Sequence, residues 1–204
     1  MQDELDILRE VGSIAAAHGS LALSEILGRR IELSIPSLDI VSCTGVPAKI
    51  DVEKMGIAII SRLPVGLKGE AAFFLNEKNA FKFIDMSYKI REEDKKPGVL
   101  TEVGISSIKE IGSIVIGAYL SALSIMFKRV ILSLPPTLVS GTVDDILNIL
   151  FATAGTEDYA LLIEAVFEEP KENIKGGFYL VLTPETASDI RKTCKKMLRE
   201  LEEK

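Results

Sequence analysis

Leu5-Asp6-Ile7-Leu8-Arg9-Glu10-Val11-Gly12-Ser13-Ile14 and Ile105-Ser106-Ser107-Ile108-Lys109-Glu110-Ile111-Gly112-Ser113-Ile114 are two versions of one string, set 100 residues apart. The echo runs without a gap to Leu38 and Leu138, through Ala22 and Ala122, Leu23 and Leu123, Ser24 and Ser124, Arg29 and Arg129, Ile31 and Ile131, and Pro36 and Pro136. A repeated fold unit needs the same core pattern at the same spacing, so constant register over such a block predicts an internally duplicated chain. Whatever function the block carries is then expected twice.

Each copy reads as a long helix, over Asp3 to Leu27 and Glu102 to Phe127, because apolar residues recur at helical spacing and no proline interrupts them. At roughly 100° per residue, Asp6, Glu10, Ser13, Ala17, Ser20 and Ser24 fall on one face. Leu8, Val11, Ala15, Ala22 and Ile26 fall on the other. In the second copy Ser106, Glu110, Ser113, Gly117 and Ser124 form the equivalent stripe, backed by Ile108, Ile111, Val115, Ala122 and Met126. Any amphipathic helix has a polar face. The same carboxylate and hydroxyl one turn apart in both copies is what singles out Glu10 with Ser13 and Glu110 with Ser113.

Working outward, Arg30 to Ile35 and Leu38 to Cys43 read as strands split by Pro36-Ser37. Gly56 to Leu63 and Lys68 to Leu75 read as a strand pair turning at Pro64-Val65-Gly66. Asn76 to Ile90 reads as a helix with Ala80, Phe81, Ile84 and Tyr88 on one side. The charged run Arg91 to Lys96, ending in Pro97-Gly98, marks the break between repeats of about 1–96 and 97–204 within a single domain.

In the second half Val130 to Leu134 is expected as a strand and Val143 to Thr153 as a helix. Tyr159 to Glu168 and Gly176 to Thr183 are expected as strands, and Pro184 to Glu203 as a closing helix. Gly69 to Ala80 superposes on Gly176 to Ala187, so the duplication extends past the long helices. The sum is an α+β fold with internal pseudo-two-fold symmetry, its long helices packed on an antiparallel sheet.

A net charge of −6 gives no electrostatic reason to expect nucleic acid or an anionic membrane, and a basic partner face suits it better. Cys43 and Cys194 are far apart and read as reduced thiols of a cytoplasmic protein. His18 is the only histidine, which excludes a multi-histidine metal site and leaves no second candidate for a Ser-His-Asp triad. The chain opens on Asp3, Glu4 and Asp6 rather than a basic and then apolar run, so no signal peptide is expected. Ile111 to Phe127 lacks charge but is rich in Gly, Ser and Ala. It is expected as a helix buried against a sheet, without membrane insertion.

The pattern Asp or Ser, three residues, Glu, two residues, Asn, 22 residues, Pro resembles the signature of the CheC/CheX/FliY family of chemotaxis phosphatases. Asp6, Glu10 and Pro36 match it in the first copy, and Ser106, Glu110 and Pro136 in the second. Ser13 and Ser113 stand at the Asn positions with every other spacing kept. The two-site layout looks like CheC rather than the single-site CheX, and the resemblance covers essentially the whole chain.

The resemblance implies a phosphatase of the phosphorylated response regulator CheY, with Glu10 and Glu110 pairing with the regulator's active-site lysine. Ser13 and Ser113 would orient the attacking water, and Asp6, Ser106, Pro36 and Pro136 complete the binding motifs. It implies no cofactor in this chain, since Mg2+ would be carried by the regulator. It equally allows a binding module for a response regulator or for the receptor deamidase CheD, which CheC engages through the region of Val143 to Thr153. A structural role like that of the flagellar switch proteins sharing this fold is the third reading it leaves open.

Overall fold

A computed structural model describes residues 2–34, 37–42, 55–88, 101–154 and 159–202. The two matching strings, at Leu5 to Ile14 and Ile105 to Ile114, lie in the longest helices, α1 (Gln2–Leu27) and α3 (Glu102–Phe127). At 26 residues each, they are about 39 Å long at 1.5 Å per residue. Thr101 caps α3, its side chain accepting the Gly104 amide, and Lys128 closes it in the left-handed conformation.

Between and after them come β1 (Glu32–Leu33), β2 (Ser37–Ser42), β3 (Met55–Leu63), β4 (Gly69–Asn76), α2 (Glu77–Tyr88), β5 (Thr137–Thr142), α4 (Val143–Ala154), β6 (Tyr159–Glu169), β7 (Ile174–Leu182) and α5 (Pro184–Glu202). The strands form one seven-stranded antiparallel sheet in the order β1-β6-β7-β4-β3-β5, with β2 pairing β6 beyond β1. The strand after each long helix therefore pairs with the hairpin of the other half: β2 with β6, and β5 with β3.

Sheet residues alternate between two cores, as the period of a strand requires. Ile57, Ile59, Leu63, Ala71, Phe73, Leu161, Ile163, Phe178 and Leu180 join Leu8, Val11 and Ala15 of α1, Ile108, Ile111 and Val115 of α3, Phe83 of α2 and Ile190 of α5. On the opposite face Ala58, Ile60, Ala72, Leu162 and Val181 meet Ile146, Leu147, Leu150 and Phe151 of α4. Being covered on both faces, the central strands read as nearly continuous apolar runs. Phe73, Phe167 and Phe178 pack in mutual contact at the centre, with ring centroids 5.4–5.7 Å apart.

Two expectations need correction. Val130 to Leu134 is not a strand. The chain leaving α3 crosses the β3–β4 turn, and its backbone meets that hairpin through the isolated Val65–Leu132 bridge and the Leu134 amide on the Arg62 carbonyl rather than along a strand ladder. The strand lies beyond Pro136, as β5, where pairing with β3 supplies the hydrogen bonds. Arg30 to Ile35 likewise contracts to β1, two residues long. Cys43, Pro36, Pro97-Gly98 and the charged run Arg91 to Lys96 lie outside the described residues. Cys194 is buried on α5.

Candidate functional site

The depth at which α1 and α3 sit on the sheet decides what they present to solvent. Gly12 and Gly112 are buried against it, and a Cβ on Gly112 would lie 2.7–3.0 Å from three side-chain atoms of Ile59. At Gly12 the single close neighbour is Ile163 Cγ2, at 3.3 Å. With these glycines turned inward, the residues two before and one after them in each string turn away from the core. Glu10, Glu110 and Ser113 are exposed and Ser13 is half-buried.

Each pair is supplied by a single helix, one turn apart, so the chain carries two separate carboxylate and hydroxyl patches. Asp6 is exposed and holds Arg9 in an ion pair at 3.2 Å, while the equivalent Ser106 carries no charge. Pro136 is half-buried immediately before β5.

The polar stripe is shorter than the helical wheel predicts. Ser20 is buried, because a helix of 3.6 residues per turn carries that position round toward the sheet. Ser24 and Ser124 spend their hydroxyls on the carbonyls of Arg29 and Arg129, closing the last turn of each helix. What remains of the stripe at the surface is the stretch around the glutamate and the first serine. His18 is exposed on α1. Among the described residues no group of three or more His, Cys, Asp or Glu side chains could hold a metal.

One feature of the patch escaped the sequence reading. Ile14 and Ile114, four residues after each glutamate, are 38% and 47% exposed, and Leu21 and Ile125 continue the apolar surface along each helix. Their signal was the Ile closing both Glu-x-Gly-Ser-Ile strings, which falls on the acid's side of the helix. Each helix thus sets a solvent-facing carboxylate beside a partly exposed isoleucine.

Among the described residues α3 is the one helix long and apolar enough to cross a membrane, and half of that window is buried inside the protein. Its apolarity is explained by the core it fills, with Ile108, Ile111, Val115, Tyr119 and Leu123 all buried.

An antiparallel sheet covered by two long acid-bearing helices defines an α+β fold of the CheC and FliY type. The chain superposes on the crystal structure of Thermotoga maritima FliY with a TM-score of 0.76 over 96% of its own length and 98% of that chain, at 21% identity. It superposes on a chain of the CheX-CheY-BeF3-Mg complex from Borrelia burgdorferi with a TM-score of 0.56, over 85% of this chain and 96% of that one, at 18% identity. At these identities the likeness concerns the fold.

In sequence the chain is similar to the CheY-P phosphatase CheC of Bacillus subtilis (strain 168), with 28% identity over 128 residues. That match spans 62% of this chain and 61% of the relative, less than two thirds of its length. No family model matches the chain. The protein is thus CheC/FliY-like in fold and, over the matched stretch, CheC-like in sequence.

Proposed function

We propose that this chain is a chemotaxis protein of CheC type that binds a phosphorylated CheY-type response regulator and assists hydrolysis of its aspartyl phosphate. The observation that carries the reading is the exposure of Glu10 and Glu110 beside Ile14 and Ile114 on helices seated by Gly12 and Gly112. The name of the B. subtilis relative supports it, as does the CheX-CheY complex among structures of this fold. The internal duplication is part of the proposal, supported by the exchange of β2 and β5 between the hairpins of the two halves.

Hydrolysis of an aspartyl phosphate needs water in line with the bond that breaks. The water oxygen bonds to phosphorus as the bond to the carboxyl oxygen is lost, and the aspartate leaves as carboxylate. A helper protein contributes positioning and electrostatics rather than covalent chemistry. In this reading Glu10 and Glu110 dock the helix by pairing with a cation of the regulator, and the exposed isoleucines desolvate the contact. Ser13 and Ser113 then face the reacting centre. A hydroxyl donates and accepts, but it stops one bond nearer the backbone than a carboxamide and lacks its second arm. A misplacement of about 1 Å costs on the order of 10²-fold in rate, so the expected activity is weak.

That replacement in both copies favours a second reading, in which the protein binds the regulator, or CheD, without hydrolysis. Either reading implies a cytoplasmic protein. Calorimetric titration with a beryllofluoride-loaded regulator tests what they share. Binding by the parent and loss of binding in the Glu10→Ala, Glu110→Ala double variant is the expected result. Equal affinity in parent and variant would remove the basis for the site.

A further inference from the structure

The sheet has two edges, and they are guarded differently. At one, β1 and β2 lie along β6; at the other, β5 lies along β3 with, among the described residues, no strand beyond it. An edge strand offers unpaired backbone N–H and C=O groups to any second strand, and natural sheets block such pairing with charged side chains. On the β1–β2 edge Arg30 and Glu32 are exposed and pair with each other at 3.4 Å, and Asp39 stands within β2.

One hundred residues on, the same positions hold Val130, Leu132 and Val139, and Ser34 is matched by Leu134. From Val130 to Thr142 the chain carries no charged residue. Val130, Leu132 and Leu134 are 66%, 53% and 47% exposed, and Val65, bridged to Leu132, is exposed beside them. On β5 itself the exposed residues are Thr137 and Ser140.

This stretch keeps one register along β3. Leu132 faces Val65, the Leu134 amide donates to the Arg62 carbonyl, and Thr137 pairs with Ile60. The uncharged rim therefore runs on over 132–142, about 36 Å at roughly 3.3 Å per residue. Pro135 and Pro136 have no N–H, so ladder pairing is confined to β5 and the apolar residues before it contribute packing.

The ends of the rim say what fits it. Lys128 and Arg129 stand just before it, and Asp144 and Asp145 just after it. Arg129 is paired with Asp189 at 2.6 Å, so the exposed cation there is Lys128. A second copy laid antiparallel sets the basic end of each chain toward the acidic end of the other, about a two-fold axis through the middle of β5. A parallel copy would set like charge against like. Two chains of net charge −6 repel over most of their surface and approach at least cost where neither carries charge.

We propose that the chain forms a two-fold dimer through this edge, β5 pairing antiparallel with β5 of a second copy to make one continuous sheet. Val130, Leu132 and Leu134 are then brought against the second copy where its β5 passes into α4. The inference rests on the sheet edge and not on Glu10 or Glu110, so it stands or falls apart from the regulator-binding reading.

Sedimentation equilibrium on the full chain from about 1 to 200 µM tests it. The parent should pass from the chain mass of 22.3 kDa toward twice that value. Two variants change exposed positions and should keep the fold, as circular dichroism checks. Leu132→Glu restores the acid of the other edge, and Ser140→Lys sets two cations against each other near the axis; each should weaken association by about tenfold or more. A parent that stays at 22.3 kDa at every concentration overturns the proposal and leaves the edge to a strand of another protein. Association of both variants as tight as the parent's overturns it equally. Hydrogen exchange gives a check that needs no variant: between low and high concentration the amides of Thr137 to Thr142 should gain on the order of tenfold in protection while those of β2 do not change. The same response at both edges, or none at β5, overturns the dimer.

Discussion

Replacing Gly112 with alanine puts the relation between core and site to a quantitative test. Two terms oppose each other. Alanine in a helix interior is favoured over glycine by about 1 kcal/mol. Against it stands a methyl placed 2.7, 2.8 and 3.0 Å from Cγ1, Cβ and Cγ2 of Ile59.

Ile59 is fully buried in the centre of β3 and, being β-branched, has little freedom at χ1. It cannot swing aside, so α3 must lift from the sheet, and overpacking of this kind costs about 1–3 kcal/mol. The upper end applies with three atoms involved, leaving a net loss of about 1–2 kcal/mol. Gly12→Ala is the internal control. Its methyl meets one atom, Ile163 Cγ2 at 3.3 Å, so the propensity term should leave stability unchanged or raised by up to about 1 kcal/mol. Urea denaturation of both variants measures the difference at unchanged m-value. Gly112→Ala as stable as Gly12→Ala would refute the claim that contact with Ile59 fixes the height of α3, and with it the exposure of Glu110 and Ser113.

Three further outcomes are expected. Ser13→Asn with Ser113→Asn should raise the dephosphorylation rate with little change in affinity, since the amide acts in the transition state; either change alone should give part of the gain. Stability should fall as pH rises from about 4.5 to about 7 and then level off. The folded pKa of Glu70 is raised, so the unfolded chain ionises first; the loss is at most about 3 kcal/mol at 1.36 kcal/mol per unit, and thermal melts of Glu70→Gln should lack that slope. Arg129→Ala should cost about 1–2 kcal/mol by urea denaturation. It removes bonds to Gly66, Asp189 and Thr193 that tie the end of α3 to the β3–β4 turn and to α5.

The parts legible in the sequence were those governed by local periodicity. α3 begins and ends at the expected residues, and α1, α4 and the hairpin strands fall within a residue or two of them. β5 was missed because Thr137 to Thr142 is short and contains Gly141; only pairing with β3, contributed from the other half, makes it a strand. Glu10 and Glu110 were found because repetition marks them and the helical wheel turns them outward. Ser20 was misjudged because the same wheel drifts over several turns. Glu70 gave no sign, since nothing in the alternation of β4 distinguishes a glutamate facing α4 from one facing water.

The proposed activity is tested most directly by following the decay of radiolabelled phospho-CheY from the same organism with and without this protein. Faster loss of label in its presence, reduced to the unassisted rate by Glu10→Ala with Glu110→Ala, is the predicted result. Decay that matches the regulator alone at saturating protein would contradict the hydrolytic claim.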